Sequence, residues 1–271
     1  MCLTTLVFYE WFHKDPIVDV RLFKNRNFAT ANMMLFMVGA MAFATTVLMP
    51  EFLQTIMGYT AENAGLVLSA AAILLLFELP FVGRLTSVFQ LRYLIAFGWF
   101  GLAIGMYVSV LQFNQEMSFG HATWLRIVQY VPLGFVFVPT TTAAYIGIQR
   151  EKSNAVAGLV NFTRNIGSSV GISVVNSLLT QNTQVNHSEI AEHVTLANRM
   201  FEVPAIAQFW NPVSAAGRAA LDAIVTRQAQ IIAYIDDYKL LMIATLAVIP
   251  LLIIFTKPPR DVATDHMQAM E

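Results

Sequence analysis

The chain has 271 residues, of which 56% are hydrophobic and only 12% charged, with a formal net charge of −1. A soluble globular domain carries about 25% charged residues, so this deficit points to a membrane protein, and the near-neutral balance excludes the basic footprint of a nucleic-acid binder. One cysteine, Cys2, excludes an internal disulfide framework, and histidines at 13, 121, 187, 193 and 266 are too scattered for a metal site, which needs three or four convergent ligands.

Residues 1–27 come first. Met1 to Trp11 is too short an apolar run to span a bilayer and lacks the basic start of a signal peptide, so it reads as the end of a preceding linker helix. "DPIVDVRLFKNRNF" follows (Asp15–Phe28). It reads either as an interfacial segment, with Ile17, Val18, Val20, Leu22 and Phe23 on the headgroups and Arg21, Lys24 and Arg26 toward the phosphates, or as a plain cytoplasmic linker.

Six segments then approach the roughly 20 apolar residues that a spanning helix needs. They are Phe28–Pro50, Asn63–Val82, Tyr93–Leu111, Ile127–Ile148, Ser153–Thr180 and Lys239–Thr256. Residues 28–180 thus hold five spans, 181–238 a long outer loop, 239–256 the last span and 257–271 a tail. Lys and Arg cluster before the first span, between the second and third, between the fourth and fifth, and after the sixth. Loops 51–62 and 112–123 contain none and carry Glu51, Glu62 and Glu116. Every short loop obeys the positive-inside rule with both termini cytoplasmic. The expected fold class is therefore all-α, a polytopic six-helix membrane bundle, since only helices or closed barrels satisfy the backbone in lipid. Within the outer loop, Asn186 reads as an N-cap with Glu189 three residues on. The stretch from Pro212 keeps helical periodicity toward the last span.

"GLVNFTRNIGSSVGIS" (Gly158–Ser173) carries the most informative charge. Arg164 lies about 15 Å along the helix from Asn154, near mid-bilayer, where a cation costs at least about 2.5 kcal/mol unless it faces the bundle interior or water. Asn161, Gly167, Ser168 and Gly171 share its face, and Asn165 flanks it. The small residues permit close helix packing. Two readings stay open: a cation that binds substrate or a partner carboxylate, or one that neutralises a buried acid or caps freed carbonyls. Glu78, two residues before Pro80, is either a proton-carrying buried carboxylate or a group reaching Arg84, Arg92 or carbonyls freed by the proline. The fourth span holds Pro132, Gly134 and Pro139, with Arg126, Gln129 and Tyr130 toward its outer end. It reads as a cavity helix or as a kinked packing helix. Met34, Met37 and Met41 make a thioether stripe suited to apolar ligands or to ordinary packing. Nucleophile triads, phosphate loops and paired intramembrane carboxylates are absent from the sequence, so no enzyme and no cofactor is expected.

Taken together, "DPIVDVRLFKNRNFA", "VPLGFVFVPTTTAA", "GLVNFTRNIGSSVGIS" and "RQAQIIAYIDDYKLLM" resemble, in order, the C-terminal six-helix bundle of fourteen-helix drug:proton antiporters of the EmrB/QacA type, within the major facilitator superfamily. The resemblance implies multidrug efflux across a bacterial inner membrane. It implies lipophilic or cationic drugs and protons as ligands, the lipid bilayer as surroundings, and a periplasmic adaptor protein and a missing N-terminal half as partners. The chain alone would then be inactive. "GRLTSVFQLR" resembles a decayed copy of the superfamily's cytoplasmic loop motif: Gly83, Leu85 and Arg92 fit, while Ser87 replaces the usual aspartate and Val88 the usual basic residue. The other readings are a different solute transporter of the superfamily and a non-transporting membrane scaffold.

Overall fold

The computed structural model describes residues 20–194, 210 and 213–253. Expectations for residues 1–19 and for the tail fall outside that range. Among the described residues six α-helices make up the bundle: α1 (Arg26–Thr55), α2 (Ala61–Val88), α3 (Leu91–Gln112), α4 (Phe119–Ala144), α5 (Ser153–Glu192) and α6 (Ala215–Val248). Among the described residues, α1 to α4 are each long and apolar enough to cross a membrane. The polar stripe of α5 and the polar first half of α6 dilute their hydropathy, yet both helices pack into the same bundle.

The helix starts follow capping chemistry. Asn25 caps α1, its Oδ1 accepting from the Asn27 amide at 2.9 Å, and Thr60, Ser118 and Ser214 cap α2, α4 and α6 through their side chains. The Asn25 Nδ2 also donates to the Ile146 carbonyl at 3.2 Å, tying the start of α1 to the turn after α4. Two turns use glycine at positive φ, Gly58 at 70° after α1 and Gly147 at 76° after α4.

The outer loop differs from expectation. Asn186 is not an N-cap, because α5 runs on as one helix through it to Glu192. The helical periodicity read from Pro212 toward the last span corresponds to one helix, continuous from Ala215 into the bundle. At 1.5 Å per residue, α5's 40 residues reach about 60 Å and α6's 34 about 51 Å, well over a hydrocarbon core of about 30 Å. Near the free ends of the pair, His187 Nε2 meets Asp222 Oδ1 at 3.0 Å.

Packing is unequal. α1 packs most extensively on α5, α3 on α4, and α6 on α5 and α3, while α2 leans mainly on α4. The main core gathers Trp99, Phe52, Tyr234 and Tyr238, with Phe52 edge-on to Phe113 at 4.6 Å and to Tyr234 at 5.3 Å. By contrast α2 buries only Ala64, Val67, Ala71 and Val82 and leaves Leu76, Phe77 and Phe81 exposed. α5 similarly exposes Phe162, Ile166, Val170 and Val174.

The α1–α5 contact is the tightest in the bundle. A Cβ on Gly39 would clash with the Arg164 carbonyl, one on Gly167 with the Phe36 carbonyl and one on Gly171 with the Ala40 carbonyl. Backbone meets backbone here, so no flexible side chain can yield. Gly167→Ala should therefore cost about 1–3 kcal/mol of overpacking and lower the apparent melting temperature of the detergent-solubilised chain. Gly158→Ala on the same helix meets open space and should hold or raise it, by up to about 1 kcal/mol of helix propensity. Circular-dichroism melting of the two variants checks the contrast.

Candidate functional site

An apolar cavity of about 290 Å³ opens among α1, α2, α4 and α5. Phe43, Leu75, Leu79, Tyr130 and Phe137 give it apolar walls, and Arg164 supplies its one charged lining group. The geometry follows from the glycine seam. Gly39 lets the α5 backbone come against α1 at residue 164, so the Arg164 side chain emerges at the cavity edge. There Nη2 donates to Asn161 Oδ1 at 3.1 Å, one helical turn back. The guanidinium carbon stands 5.3 Å from the Phe137 ring centroid, within cation–π range. The Nε is buried without a partner.

Glu78 borders the same cavity from α2. It precedes the lining residue Leu79, and its carboxylate lies on Gly134 of α4, another lining residue. A Cβ at Gly134 would stand 2.6 Å from Glu78 Oε1, so the glycine between the two prolines makes room for this carboxylate. Both Glu78 oxygens are buried without a hydrogen-bond partner, so neither Arg84 nor Arg92 answers them. A cation and a carboxyl thus flank one apolar chamber without pairing to each other.

Arg126 and Gln129 occupy a different place. Both are buried, 1% and 2% exposed, on the side of α4 facing α1, α3 and α6. Arg126 donates through Nη2 to Thr46 Oγ1 at 2.7 Å and through Nη1 to Gln129 Oε1 at 3.2 Å, and its guanidinium carbon lies 4.1 Å from the Tyr130 ring centroid. Gln129 Nε2 donates onward to Ser109 Oγ at 2.7 Å. Thr46 Oγ1 and Tyr130 Oη are 3.1 Å apart. Tyr130 faces both systems, lining the cavity while stacking with Arg126.

The remaining expected positions are dispersed. Asn165 is exposed, and its carbonyl accepts from Ser168 Oγ at 2.7 Å. Gly167 and Gly171 sit in the α1 seam. Gly83, Leu85 and Arg92 lie at the α2–α3 turn, where Gly83 faces open space and Arg92 is exposed. Reading the sequence overlooked Thr46, Ser109, Phe137 and Gly39, which are common residue types in apolar helices. It also overlooked Asn32, fully buried on α1 and donating to Thr163 Oγ1 on α5 at 3.0 Å. Among the described residues no cluster of His, Cys, Asp and Glu could hold a metal.

The described residues form an all-helical bundle of long, apolar helices around an apolar chamber with one charged lining group. The chain belongs to the Major Facilitator Superfamily, whose family model matches residues 11–172. It is 31% identical over 193 residues to the multidrug export protein EmrB of Escherichia coli K12, covering 71% of this chain and 38% of the relative. It is 28% identical over 265 residues to EmrB of Haemophilus influenzae, covering 96% of this chain and 51% of the relative. The chain thus spans about half or less of the length of these relatives. Its fold is similar to that of a bacterial homologue of the human lysosomal transporter Spinster, with a TM-score of 0.59 at 14% identity, over 94% of this chain and 55% of that one.

The buried network makes a sharp demand on Arg126. A lysine keeps the charge but cannot span Thr46 and Gln129 with a planar fork. Each buried acceptor left unpaired costs about 1–3 kcal/mol. Arg126→Lys should therefore lower the apparent melting temperature, and Asn165→Ala, at an exposed site, should leave it unchanged. Parallel melts in the same detergent check this.

Proposed function

We propose that the chain is the six-helix C-terminal half of a fourteen-helix drug:proton antiporter of the EmrB/QacA type, exporting lipophilic or cationic small molecules across a bacterial inner membrane. The apolar cavity with Arg164 in its wall and the Glu78 carboxyl beside it, the two not paired with each other, carries this reading. An apolar chamber of this size accepts varied lipophilic bodies through shape-tolerant contacts, and isolated charges in low dielectric select among them. Glu78 is the group suited to a cationic drug or to a proton. Arg164 supports a carboxylate, whether on a ligand or on the other half of the transporter. The aligned relatives from Escherichia coli and Haemophilus influenzae are named multidrug export proteins, which supports a drug-export reading.

Several features support the remainder of the assignment. Basic residues gather at one end of the bundle, the end that would be cytoplasmic, together with both termini. All six helices would then cross the membrane, and the overlong ends of α5 and α6 would project on the outer side, where a periplasmic adaptor could dock. The exposed apolar faces of α2 and α5 suit contact with a second six-helix bundle or with lipid. Alternating access requires one bundle to rock against another, so this chain alone would not transport.

Placed in a full-length transporter, Arg164→Ala removes a charged contact worth about 1.5–3 kcal/mol, which corresponds to a roughly ten- to hundredfold loss of export. Membrane abundance should stay near normal. Drug-resistance titres beside immunoblots of membrane fractions check it, and normal efflux by this variant would sink the assignment of Arg164 to the site.

A further inference from the structure

We propose that Asp237 of α6 is a proton-binding carboxyl, reached from the end of the bundle at which α1 finishes and separate from the Arg164–Glu78 cavity. Asp237 is 1% exposed, and neither of its carboxylate oxygens has a hydrogen-bond partner. An ionised carboxylate buried without donors or a counter-charge is far more costly than the neutral acid. The site therefore holds either a proton or a small cation.

The surroundings favour the proton. On α6 itself the neighbours are Asp236, Tyr234 and Tyr238, and Asp236 is engaged by Lys239 at 2.9 Å. From α1 comes Glu51, which with Asp236 supplies the charges acting on Asp237, both of them negative. From α4 the nearest cation is Arg126, which acts on Tyr238 and is already engaged by Thr46 and Gln129. Phe113, at the end of α3, covers Tyr238 with ring centroids 4.7 Å apart. The residues that α5 brings to this region, Leu179, Thr180, Thr183 and Gln184, are uncharged. A metal cation would need several convergent ligands, and among the described residues no group of three or more His, Cys, Asp or Glu could hold one.

A route exists. A second cavity, also of about 290 Å³ and more polar than the first, is lined by Glu51, Thr55, Thr183, Gln230 and Tyr234. Gln230, Tyr234 and Asp237 follow at i, i+4 and i+7, one face of α6. The face leads from the cavity mouth, where Glu51 is half-buried, to the buried Asp237. Glu51 is the entry carboxylate in this arrangement. Under the antiport reading this end is the outer one, so Asp237 would load protons from outside. That last step rests on the antiport reading, whereas proton binding at Asp237 is a property of this fold alone.

Infrared spectroscopy of the lipid-reconstituted chain tests it. At neutral pH the wild type should show a protonated-carboxyl C=O band that Asp237→Asn removes. Asp237→Glu should shift that band, which covers the case in which the asparagine variant does not fold. Glu78 contributes any band of its own separately, identified by its loss in Glu78→Gln. In Glu51→Gln the Asp237 band should persist while its shift on transfer to D2O slows several-fold. Carboxyl bands unchanged in both Asp237 variants would overturn the proposal. So would loss of the band when sodium replaces choline at constant pH, which would make the ligand a metal cation. An unchanged deuteration rate in Glu51→Gln would overturn the route. None of these readouts involves drug transport, so failure here is distinguishable from failure of the antiport assignment.

Discussion

The bundle depends on the contact between α1 and α5, where three glycines bring two backbones together. Gly39, Gly167 and Gly171 each face a carbonyl of the opposite helix, and no side chain could stand in their place. In lipid there is no hydrophobic drive between apolar helices, so close packing and interhelical hydrogen bonds must hold them. The seam supplies the packing, and the buried Asn32 amide donating to Thr163 supplies a hydrogen bond nearby. The same approach fixes where Arg164 leaves the helix. Were α5 further away, its guanidinium would have no cavity to border and no Phe137 ring to rest on.

A second seam repeats the device. Gly98, Gly101 and Gly105 of α3 lie against Val136, Pro132 and Val128 of α4. α4 is thereby held on one side by α3 while its other side faces the cavity and α2. This explains how one helix can serve two chemistries. Gly134 makes room for the Glu78 carboxylate, and Arg126 and Gln129 sit in the closed core. Each buried charge has been moved out of water at considerable cost. Arg126 is compensated by oxygen acceptors and an aromatic ring. Arg164 is partly compensated by Asn161 and Phe137. The Glu78 and Asp237 carboxyl oxygens have no hydrogen-bond partner among the described residues, which is why a neutral acid suits such sites better than a carboxylate.

The sequence made the helices and the charge positions legible, because apolar length and basic-loop asymmetry are strong, nearly context-free signals. Arg164 with Asn161 was readable for the same reason: a cation in an apolar helix must face inward, and its i−3 neighbour shares that face. What hid the rest was the absence of any local mark for tertiary proximity. Arg126 and Gln129 were readable only as polar groups toward the outer end of the fourth span, and the structure turns them toward Thr46 and Ser109, whose types are unremarkable in such helices. Asp237 carried no mark in the sequence: the stretch from Pro212 was readable as helical toward the last span, but only the packed α6 shows that Asp237 is buried on the same face as Tyr234 and Leu241. Asn186 misled in the opposite way, since a capping residue type inside a long helix carries no cap.

The two polar systems are separate but not remote. Tyr130 lines the apolar cavity with one part of its ring, and its hydroxyl stands 3.1 Å from Thr46 Oγ1. That threonine accepts from Arg126, which donates to Gln129, which donates to Ser109. A ligand that displaced Tyr130 would disturb both the hydroxyl pair and the ring on which the Arg126 guanidinium rests. The buried cation would then lose an aromatic partner while still enclosed, a loss that dense packing cannot absorb by small adjustments. Contiguity of this kind does not itself amount to coupling, which requires an element with two arrangements that both sites bias. Tyr130 is placed to be that element, because it touches the chamber on one side and the closed network on the other.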